Sequence, residues 1–257
     1  MIDADITGFF DNIRQDILRE LVARRISDPR VLRLIRMWLE AGVMEEGTYS
    51  KGDGLGTPQG GVISPLLSNI YLHSFDKMFK MSGISGTLVR YADDFVILLW
   101  RNGKKVLRQV EKMLGRLGLK LHPEKTRVVR AEDGFDFLGI HFQLSPVRMK
   151  NAKVKKYCAL WPSDRSMKRI KERIKEVIGR RYNLSLEELI KELNPVLRGW
   201  DNYQRKARSA RKRVRKLDGF VRDRLRIFLK RKYSDQSRGT RRVHNGIAVQ
   251  LGLYQFG

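Results

Sequence analysis

The sequence predicts an α+β fold in two parts: an antiparallel sheet with helices on one face, followed by an all-α region of three helices. The first part is indicated by two apolar, β-branched runs, residues 88–91 and 95–100, which flank two adjacent aspartates as strands flank a turn. The second is indicated by helical apolar spacing from residue 163 onward. A chain of 257 residues exceeds a typical single domain. We therefore expect two domains, residues 1–150 and 151–257.

The first part consists of predicted strands alternating with amphipathic helices. An apolar stretch over residues 4–10 predicts a strand, and residues 134–142 predict a second hairpin. The glycine-rich residues 51–61 predict a loop. Helices are expected over 11–25, from an N-cap at Asp28 to Gly42, from Ser64 and Pro65 onward, and over 104–117 with Gly118 beyond its end.

The second part is predicted to contain three basic helices, over residues 163–181, 185–204 and 205–232. Ser185 and Glu188 have the spacing of a capping box, and Pro195 should kink or break the second helix. The third helix carries 14 basic residues. The tail, residues 233–257, is expected to be irregular.

Basic residues are distributed unevenly between the two parts. Lys and Arg number 53 against 28 Asp and Glu, a net charge of +25. Residues 1–150 hold 23 basic and 18 acidic side chains, whereas residues 151–257 hold 30 and 10. Such a surface, with aromatic residues between the basic clusters, suits a nucleic acid better than an acidic membrane or protein. Binding should then depend strongly on salt. A basic surface that serves only solubility is the alternative.

Cysteine content and hydropathy exclude several classes of protein. Cys158 is the one cysteine, so intrachain disulfides and cysteine-clustered zinc sites are excluded. No apolar run approaches the roughly 20 residues of a membrane span, and no signal peptide is visible. We therefore expect a soluble, intracellular protein of the cytoplasm with no membrane partner.

Asp93 and Asp94 lie at the expected hairpin turn and raise an electrostatic problem. Adjacent carboxylates between apolar strands repel each other unless a positive charge compensates them. Asp5, on another predicted strand, adds a third carboxylate, and such oxygen donors suit Mg²⁺. Two such ions can clamp the attacking and leaving oxygens of an in-line phosphoryl transfer. The plainer interpretation, that Asp93 and Asp94 are ordinary turn formers, stays open.

Six segments resemble, in order, the motifs of group II intron reverse transcriptases, which are also called maturases. These segments are DADITGFFDNI, GTPQGGVISPLLSNIYLH, RYADDFVIL, GLKLHPEKTRVV, FDFLGIHF and LNPVLRGWDNYQ. The resemblance implies a reverse-transcriptase palm followed by a helical thumb and maturase region. It also implies an RNA-directed DNA polymerase, a nucleotidyltransferase that copies RNA into DNA with two Mg²⁺ ions and binds intron RNA to assist splicing.

The resemblance also implies roles for individual residues. Asp5, Asp93 and Asp94 would be catalytic and would bind metal together with the backbone of Ile6, although adjacent strand residues point to opposite faces unless the turn rotates them. Contacts with the nucleotide and template are implied for Phe10, as an aromatic gate against a ribose 2′-hydroxyl, and for Gln59, Gly60 and Lys125. Primer contacts are implied for Phe137, Leu138 and Gly139. The residues alone leave two alternatives: that Lys125 is only a surface lysine, and that Phe137 and Leu138 are core residues, which their periodicity favours.

Nucleic acids are the partners that the resemblance implies. They are group II intron RNA, an RNA template with its DNA primer, deoxynucleoside triphosphates and target DNA. RNA contacts are expected from basic residues of the three helices: Lys168, Arg169, Arg173, Arg205, Arg208, Arg211, Arg213 and Arg215.

The sequence departs from the family at its start. Family members carry a fingers region before the Asp5 strand, which supplies basic residues that bind the triphosphate. Phosphoryl transfer depends on positioning and charge stabilisation, so this chain by itself is expected to polymerise poorly. The alternative functions are a non-catalytic maturase that binds RNA through its basic helices, and a relative acting in defence or host RNA processing.

Overall fold

The structure, a computed structural model, divides into two compact units, Met1–Arg130 and Ala131–Gly257. It describes residues 1–41, 43–45, 48–50, 54–57, 61–148, 154–180, 182–207, 211–233 and 245–256. The division falls at residue 130 rather than at the expected 150. The reason is strand pairing, because residues from 135 onward form a hairpin that also pairs with a strand ending at residue 162.

The first unit combines a four-stranded antiparallel sheet with helices. Its elements are β1 (Ile2–Ala4), α1 (Gln15–Ala23), α2 (Pro29–Glu40), β2 (Val43–Glu45), β3 (Thr48–Ser50), α3 (Ser64–Met81), β4 (Gly86–Tyr91), β5 (Asp94–Leu99), α4 (Gly103–Arg116) and β6 (Arg127–Val128). The sheet has the order β4-β5-β1-β6, and β2 and β3 form a separate hairpin. The prediction of an antiparallel hairpin around the two aspartates is confirmed.

The first strand is shorter than the sequence suggested. The prediction of a strand over residues 4–10 was wrong. Strand β1 ends at Ala4, and residues 7–10 form a turn. Gly8 adopts φ +48°, and its carbonyl accepts hydrogen bonds from both the backbone and the side-chain nitrogens of Asn12. Asp5 therefore lies just beyond the end of a paired strand.

Helices cover one face of this sheet. Alternation along β1 turns Ile2 and Ala4 into the core, and Phe95 and Ile97 of β5 join them. Helices α1, α3 and α4 supply the other side of this core with fully buried residues that include Leu18, Tyr71, Phe75 and Leu114. Asp3 and Asp5 alternate with these core residues, so they lie on the opposite face, which the described residues leave open.

The second unit is not all-α as predicted. Its elements are β7 (Phe135–Phe137), β8 (Ile140–Arg148), β9 (Val154–Pro162), α5 (Asp164–Ile178), α6 (Leu186–Gln204), α7 (Arg211–Lys232) and α8 (Asn245–Gln250). Strands β8 and β9 pair along their whole length, from Ile140 opposite Pro162 to Arg148 opposite Val154. No element was expected over residues 154–162, and strand β9 there contradicts the prediction of an all-α region.

The three predicted helices form one hydrophobic core. Helix α6 continues through Pro195 without the break considered above, and Leu193 and Leu197 on either side of the proline are fully buried. Burial of this apolar face outweighs the hydrogen bond that proline removes. Helix α7 begins at Arg211 rather than at residue 205, because residues 205 and 206 form a turn.

The tail of the chain is also more ordered than expected. The prediction of an irregular segment was wrong for residues 245–250, which form α8. Leu253 and Phe256 then bury their side chains against the three-helix core, and the backbone N–H of Phe256 donates to Asp218 at 3.0 Å. Helix α8 is too short to be stable by itself, so this packing holds it.

The capping box of α6 gives the first testable prediction. Ser185 accepts a hydrogen bond from the backbone of Glu188 (3.2 Å), whose carboxylate accepts one from the backbone of Ser185 (2.7 Å). Ser185→Ala is expected to lower the free energy of unfolding of the second unit by about 1 kcal/mol. Urea unfolding followed by circular dichroism measures this change. Ser185→Thr keeps the capping oxygen and is the control, and an equal loss in both variants would contradict the assignment.

Candidate active site

A two-residue turn at the β4–β5 hairpin carries the predicted catalytic aspartates. Tyr91 pairs with Asp94, which leaves Ala92 and Asp93 as the turn residues. Ala92 has φ +53°, a left-handed conformation that a non-glycine residue adopts rarely. Asp94 is consequently the first residue of β5, not part of the turn.

Asp5 and Asp94 meet at the ends of adjacent antiparallel strands. Ala4 pairs with Phe95, so one further step along the same register sets Asp5 opposite Asp94. Because side chains alternate, both carboxylates lie on the face opposite the buried Ala4 and Phe95. The turn and register thus place Asp94 on the same face as Asp5, which the sequence alone could not decide.

The backbone of Ile6 faces the same hairpin. Ile6 forms an isolated antiparallel bridge with segment 120–122. Its neighbours make the two hydrogen bonds of this bridge, through the N–H of Thr7 (2.9 Å) and the carbonyl of Asp5 (2.8 Å). In this type of pair the central residue directs its own N–H and carbonyl to the other side. For Ile6 that side is the one on which β5 lies.

Two ion pairs line the open face between β1 and β6. The ammonium of Lys125 lies 2.7 Å from a carboxylate oxygen of Asp5, and the guanidinium of Arg127 lies 3.4 Å from Asp3. The Lys125 side chain is 62% exposed and the Asp5 side chain 21% exposed. Lys125, expected near the phosphates of a nucleotide, is therefore in direct contact with a predicted catalytic carboxylate.

The pKa of Asp94 is raised above its ordinary value. Partial burial is the main cause, and the negative charges of Asp93 and then Asp5 add to it. A carboxyl group in this position ionises less readily than a free one, and a nearby cation would favour its ionised form. The electrostatics of the hairpin thus match those of a site that receives positive charge.

The raised pKa predicts a pH-dependent effect of Asp94→Asn on stability. Ionised Asp94 destabilises the fold, because the folded pKa exceeds the unfolded value of about 3.9. The difference in free energy of unfolding, Asp94→Asn minus the original protein, should therefore be close to constant below about pH 4. It should increase in favour of the variant as the pH rises from about 4 through the folded pKa. Urea midpoints from pH 3 to 7, with EDTA present, measure the difference.

Asp16→Asn is the control for this experiment, since its sign is opposite. Hydrogen bonding to Arg14 lowers the pKa of Asp16, so ionised Asp16 stabilises the fold. Relative to the original protein, Asp16→Asn should therefore become less stable as the pH rises through the acidic range. A gain for Asp94→Asn that does not change with pH would contradict the raised pKa.

The carboxylates of this site fit part of a Mg²⁺ coordination shell. Within the described ranges, no three His, Cys, Asp or Glu side chains lie close enough together to enclose a metal ion. Mg²⁺ ordinarily uses one or two carboxylates and completes its octahedron with waters and substrate phosphates. Asp5 and Asp94 therefore fit the protein's share of such a site, provided that the cation displaces Lys125 from Asp5.

Arg90 is a residue of this site that the sequence analysis missed. Its guanidinium donates to the carbonyl of Ala92 at 2.9 Å and forms a two-pronged pair with Asp76, at 2.6 and 2.8 Å. A third partner is Asn69, at 3.1 Å. The signal in the sequence was an arginine on the core-facing side of a strand, in step with Leu88, because a charge there requires a partner. Arg90 fixes the turn that carries Asp93.

Phe10 lies beside the part of the glycine-rich loop that the structure describes. The carbonyl of Phe10 accepts a hydrogen bond from the N–H of Thr57 at 2.8 Å. Gly56 has φ +77°, and a Cβ there would lie 3.1 Å from the same carbonyl, so the close approach requires glycine. The half-buried Phe10 ring makes an edge contact with Phe9 at 5.3 Å. Gln59 and Gly60 lie outside the described residues.

The predicted primer-contacting residues form the turn between β7 and β8. Phe137 pairs with Ile140, so Leu138 and Gly139 are the two turn residues. All three predicted residues are half-buried and belong to neither hydrophobic core cluster. The alternative that Phe137 and Leu138 are core residues is thus contradicted.

Most of the predicted RNA-binding residues are exposed. The exposed ones are Lys168, Arg169, Arg173, Arg205, Arg211 and Arg215, whereas Arg208 lies outside the described residues. Arg213 is half-buried, because its guanidinium stands over the ring of Trp161 at 5.6 Å and pairs with Asp164 at 3.3 Å. Arg213 therefore connects α7 to the start of α5 and is less available to RNA than the exposed residues.

Among the described helices, none is both long and apolar enough to cross a membrane.

Two family models match this chain. The family model described as "Reverse transcriptase (RNA-dependent DNA polymerase)" matches residues 1–142, and "Group II intron, maturase-specific domain" matches residues 167–245. Protein YkfC of Escherichia coli is 33% identical over 178 residues, which cover 54% of this chain and 45% of that protein. The group II intron-encoded protein LtrA of Lactococcus lactis is 47% identical over 76 residues, covering 30% of this chain and 12% of LtrA.

With an acidic hairpin of this geometry and a family match over more than half its length, the chain belongs to the reverse transcriptases. The second match identifies it more narrowly as a group II intron-encoded reverse transcriptase and maturase. The matched segments span less than half the length of the curated relatives named above. The family resemblance of the six sequence motifs is confirmed.

Proposed function

We propose that the protein copies RNA into DNA by two-metal phosphoryl transfer and binds group II intron RNA to assist its splicing. The observation that carries the proposal is the meeting of Asp5 and Asp94 on the open face of the sheet, at the ends of adjacent strands. A face that lacks covering helices can receive a nucleic acid duplex. Carboxylates at strand ends can reach such a duplex although they are partly buried.

Asp5, Asp94, Asp93 and the carbonyl of Ile6 would hold two Mg²⁺ ions. Such ions, when bound, lower the pKa of the primer 3′-hydroxyl and neutralise the charge that develops on the leaving pyrophosphate. The raised pKa of Asp94 supports this role, because a cation relieves the repulsion from Asp93 and Asp5. Arg90, through the Ala92 carbonyl, would keep Asp93 in place throughout.

Lys125 would act on the triphosphate. It balances Asp5 in the ion pair described above. The Lys125 side chain is mostly exposed, so once Asp5 serves a metal ion it would be free to reach the phosphates of an incoming deoxynucleoside triphosphate. Phe10, Gln59 and Gly60 are proposed to border the sugar and base of that nucleotide.

The basic face of the second unit would bind the RNA. Arg169 and Arg173 lie four residues apart on α5, and Arg211 and Arg215 lie four residues apart on α7, so each pair shares one side of its helix. Lys168 adds an exposed cation next to Arg169. Exposed cations in rows fit phosphates that repeat along a strand. Intron RNA, the RNA template with its DNA primer, and target DNA are the proposed partners.

A non-catalytic maturase is the second candidate function, and the Lys125–Asp5 pair favours it. The ammonium of Lys125 compensates the charge of Asp5 without a metal ion. In that case the palm would be a scaffold, and the basic helices would carry the function.

Single-nucleotide addition and RNA binding, measured together, separate the two functions. The protein, in excess, is mixed with a DNA primer on an RNA template, Mg²⁺ and one deoxynucleoside triphosphate. We expect addition by the original protein and none by Asp93→Asn, with equal RNA affinity in both. The affinity should fall at least a hundredfold between about 50 and 200 mM salt. Tight, salt-sensitive RNA binding without addition by either protein would overturn the polymerase and support the scaffold.

A further inference from the structure

The turn between β7 and β8 has an unusual backbone. Leu138 has φ +49° and Gly139 has φ +75°, so both residues of this two-residue turn are left-handed. Hairpins use such turns because their twist matches that of the strands, and the residues that suit them are asparagine and glycine. Leucine is a poor residue for this conformation, which persists only where the surroundings hold it.

Helix α6 supplies the groups that hold the turn. The hydroxyl of Tyr203 donates to the carbonyl of Leu138 at 2.8 Å, and the side-chain nitrogen of Gln204 donates to the carbonyl of Gly139 at 3.4 Å. The same carbonyl of Gly139 accepts from the backbone N–H of Ser163, at 3.0 Å. Both carbonyls of the turn are thus bonded to neighbouring elements.

Burial distinguishes the two side chains. The Tyr203 side chain is exposed, so its ring contributes little to the core and its hydroxyl bond is its principal described contact. Gln204 is 1% exposed, and its nitrogen also donates to the hydroxyl of Ser166, at 3.1 Å. The same hydroxyl accepts from the indole of Trp200, also at 3.1 Å. These bonds orient Gln204 toward the turn.

We infer that Tyr203 and Gln204 are positioning residues for the DNA primer. They belong to the GWDNYQ segment of α6, within the region matched by the maturase-specific domain. They hold the turn whose residues the resemblance to group II intron reverse transcriptases implies as primer contacts. A segment matched by the maturase-specific domain would thereby act on DNA synthesis. This inference rests on the proposed polymerase function and adds two residues to it.

Tyr203→Phe tests the inference by removing one hydroxyl group from an exposed ring. Single-nucleotide addition is measured over a range of primer–template concentrations, with 2-aminopurine at the primer 3′ end as a second readout. We expect the half-saturating primer–template concentration to rise about threefold to tenfold, with a changed 2-aminopurine signal and unchanged intron RNA affinity. Tyr157→Phe is the matched control, because Tyr157 pairs with Ser145, along the hairpin from the turn.

A Leu138→Asn background separates positioning from general stability. Asn-Gly forms this type of turn unaided, so the effect of Tyr203→Phe should shrink to less than about twofold in that background. An equal effect in both backgrounds, or Tyr203→Phe behaving as the original protein does, would overturn the inference. If the original protein adds no nucleotide and gives no 2-aminopurine signal, the proposed polymerase function fails first, and the inference fails with it.

Discussion

Asp5→Asn is expected to reduce single-nucleotide addition about a thousandfold, the scale of losing one preorganised charge at a reaction centre. The amide keeps the shape of the side chain, but it removes the negative charge beside Asp94 and the salt bridge to Lys125. RNA affinity should stay within about twofold, because the basic helices lie in the other unit. Rapid-quench extension of a DNA primer on an RNA template measures the loss.

Asp3→Asn is the matched control for this experiment. Asp3 lies two residues earlier on the same strand and the same face, and it also pairs with a basic residue, Arg127. The charge removed is identical, but Asp3 pairs opposite Val96, farther from the turn than Asp5. We expect a loss of less than about tenfold. Equal losses of nucleotide addition in the two variants would show that activity depends on the total charge of this face of the sheet and not on Asp5 in particular.

Asp76→Asn is expected to destabilise the first unit by about 2 kcal/mol, because it leaves Arg90 buried with a weakened partner. The Arg90 side chain is 11% exposed and that of Asp76 32% exposed, so little solvent screens the pair. The guanidinium should also lose its fixed position under the Ala92 carbonyl. Nucleotide addition should then fall even where the protein remains folded. Urea unfolding and primer extension measure the two effects.

Glu20→Gln is the control for the stability change. Glu20 forms an equally short pair with Arg24, at 2.6 Å, but both side chains are about two-thirds exposed. Exposed pairs contribute little, so the variant should change the free energy of unfolding by less than about 0.5 kcal/mol. Similar changes in the free energy of unfolding in both variants would show that burial does not strengthen the Arg90–Asp76 pair.

Local chemistry made several elements predictable from the sequence. The capping box of Ser185, the proline after Asp28 and the apolar stripe of α7 each determine a helix through neighbouring residues, and all three helices are present. The acidic hairpin was predictable for the same reason, because its two strands are adjacent in sequence.

Features that depend on distant residues were missed. Strand β9 exists because β8 pairs with it, and residues 154–162 carry no turn or cap of their own. Helix α8 is held by packing into the core that α5, α6 and α7 form. Arg90 looked like one of many basic residues until Asp76, on α3, was brought beside it. The shared face of Asp5 and Asp94 likewise required the β1–β5 register, which no local pattern specifies.

That register constrains how this region can change in evolution. Side chains alternate between the two faces, so deleting or inserting one residue in β1 would exchange them. Asp5 would enter the core beside Phe75 and Phe95, and an isoleucine or alanine would replace it at the reaction centre. The length of this short strand is therefore under as much selection as its composition. Insertions and deletions are expected in the loops instead, and substitutions alone in the strand.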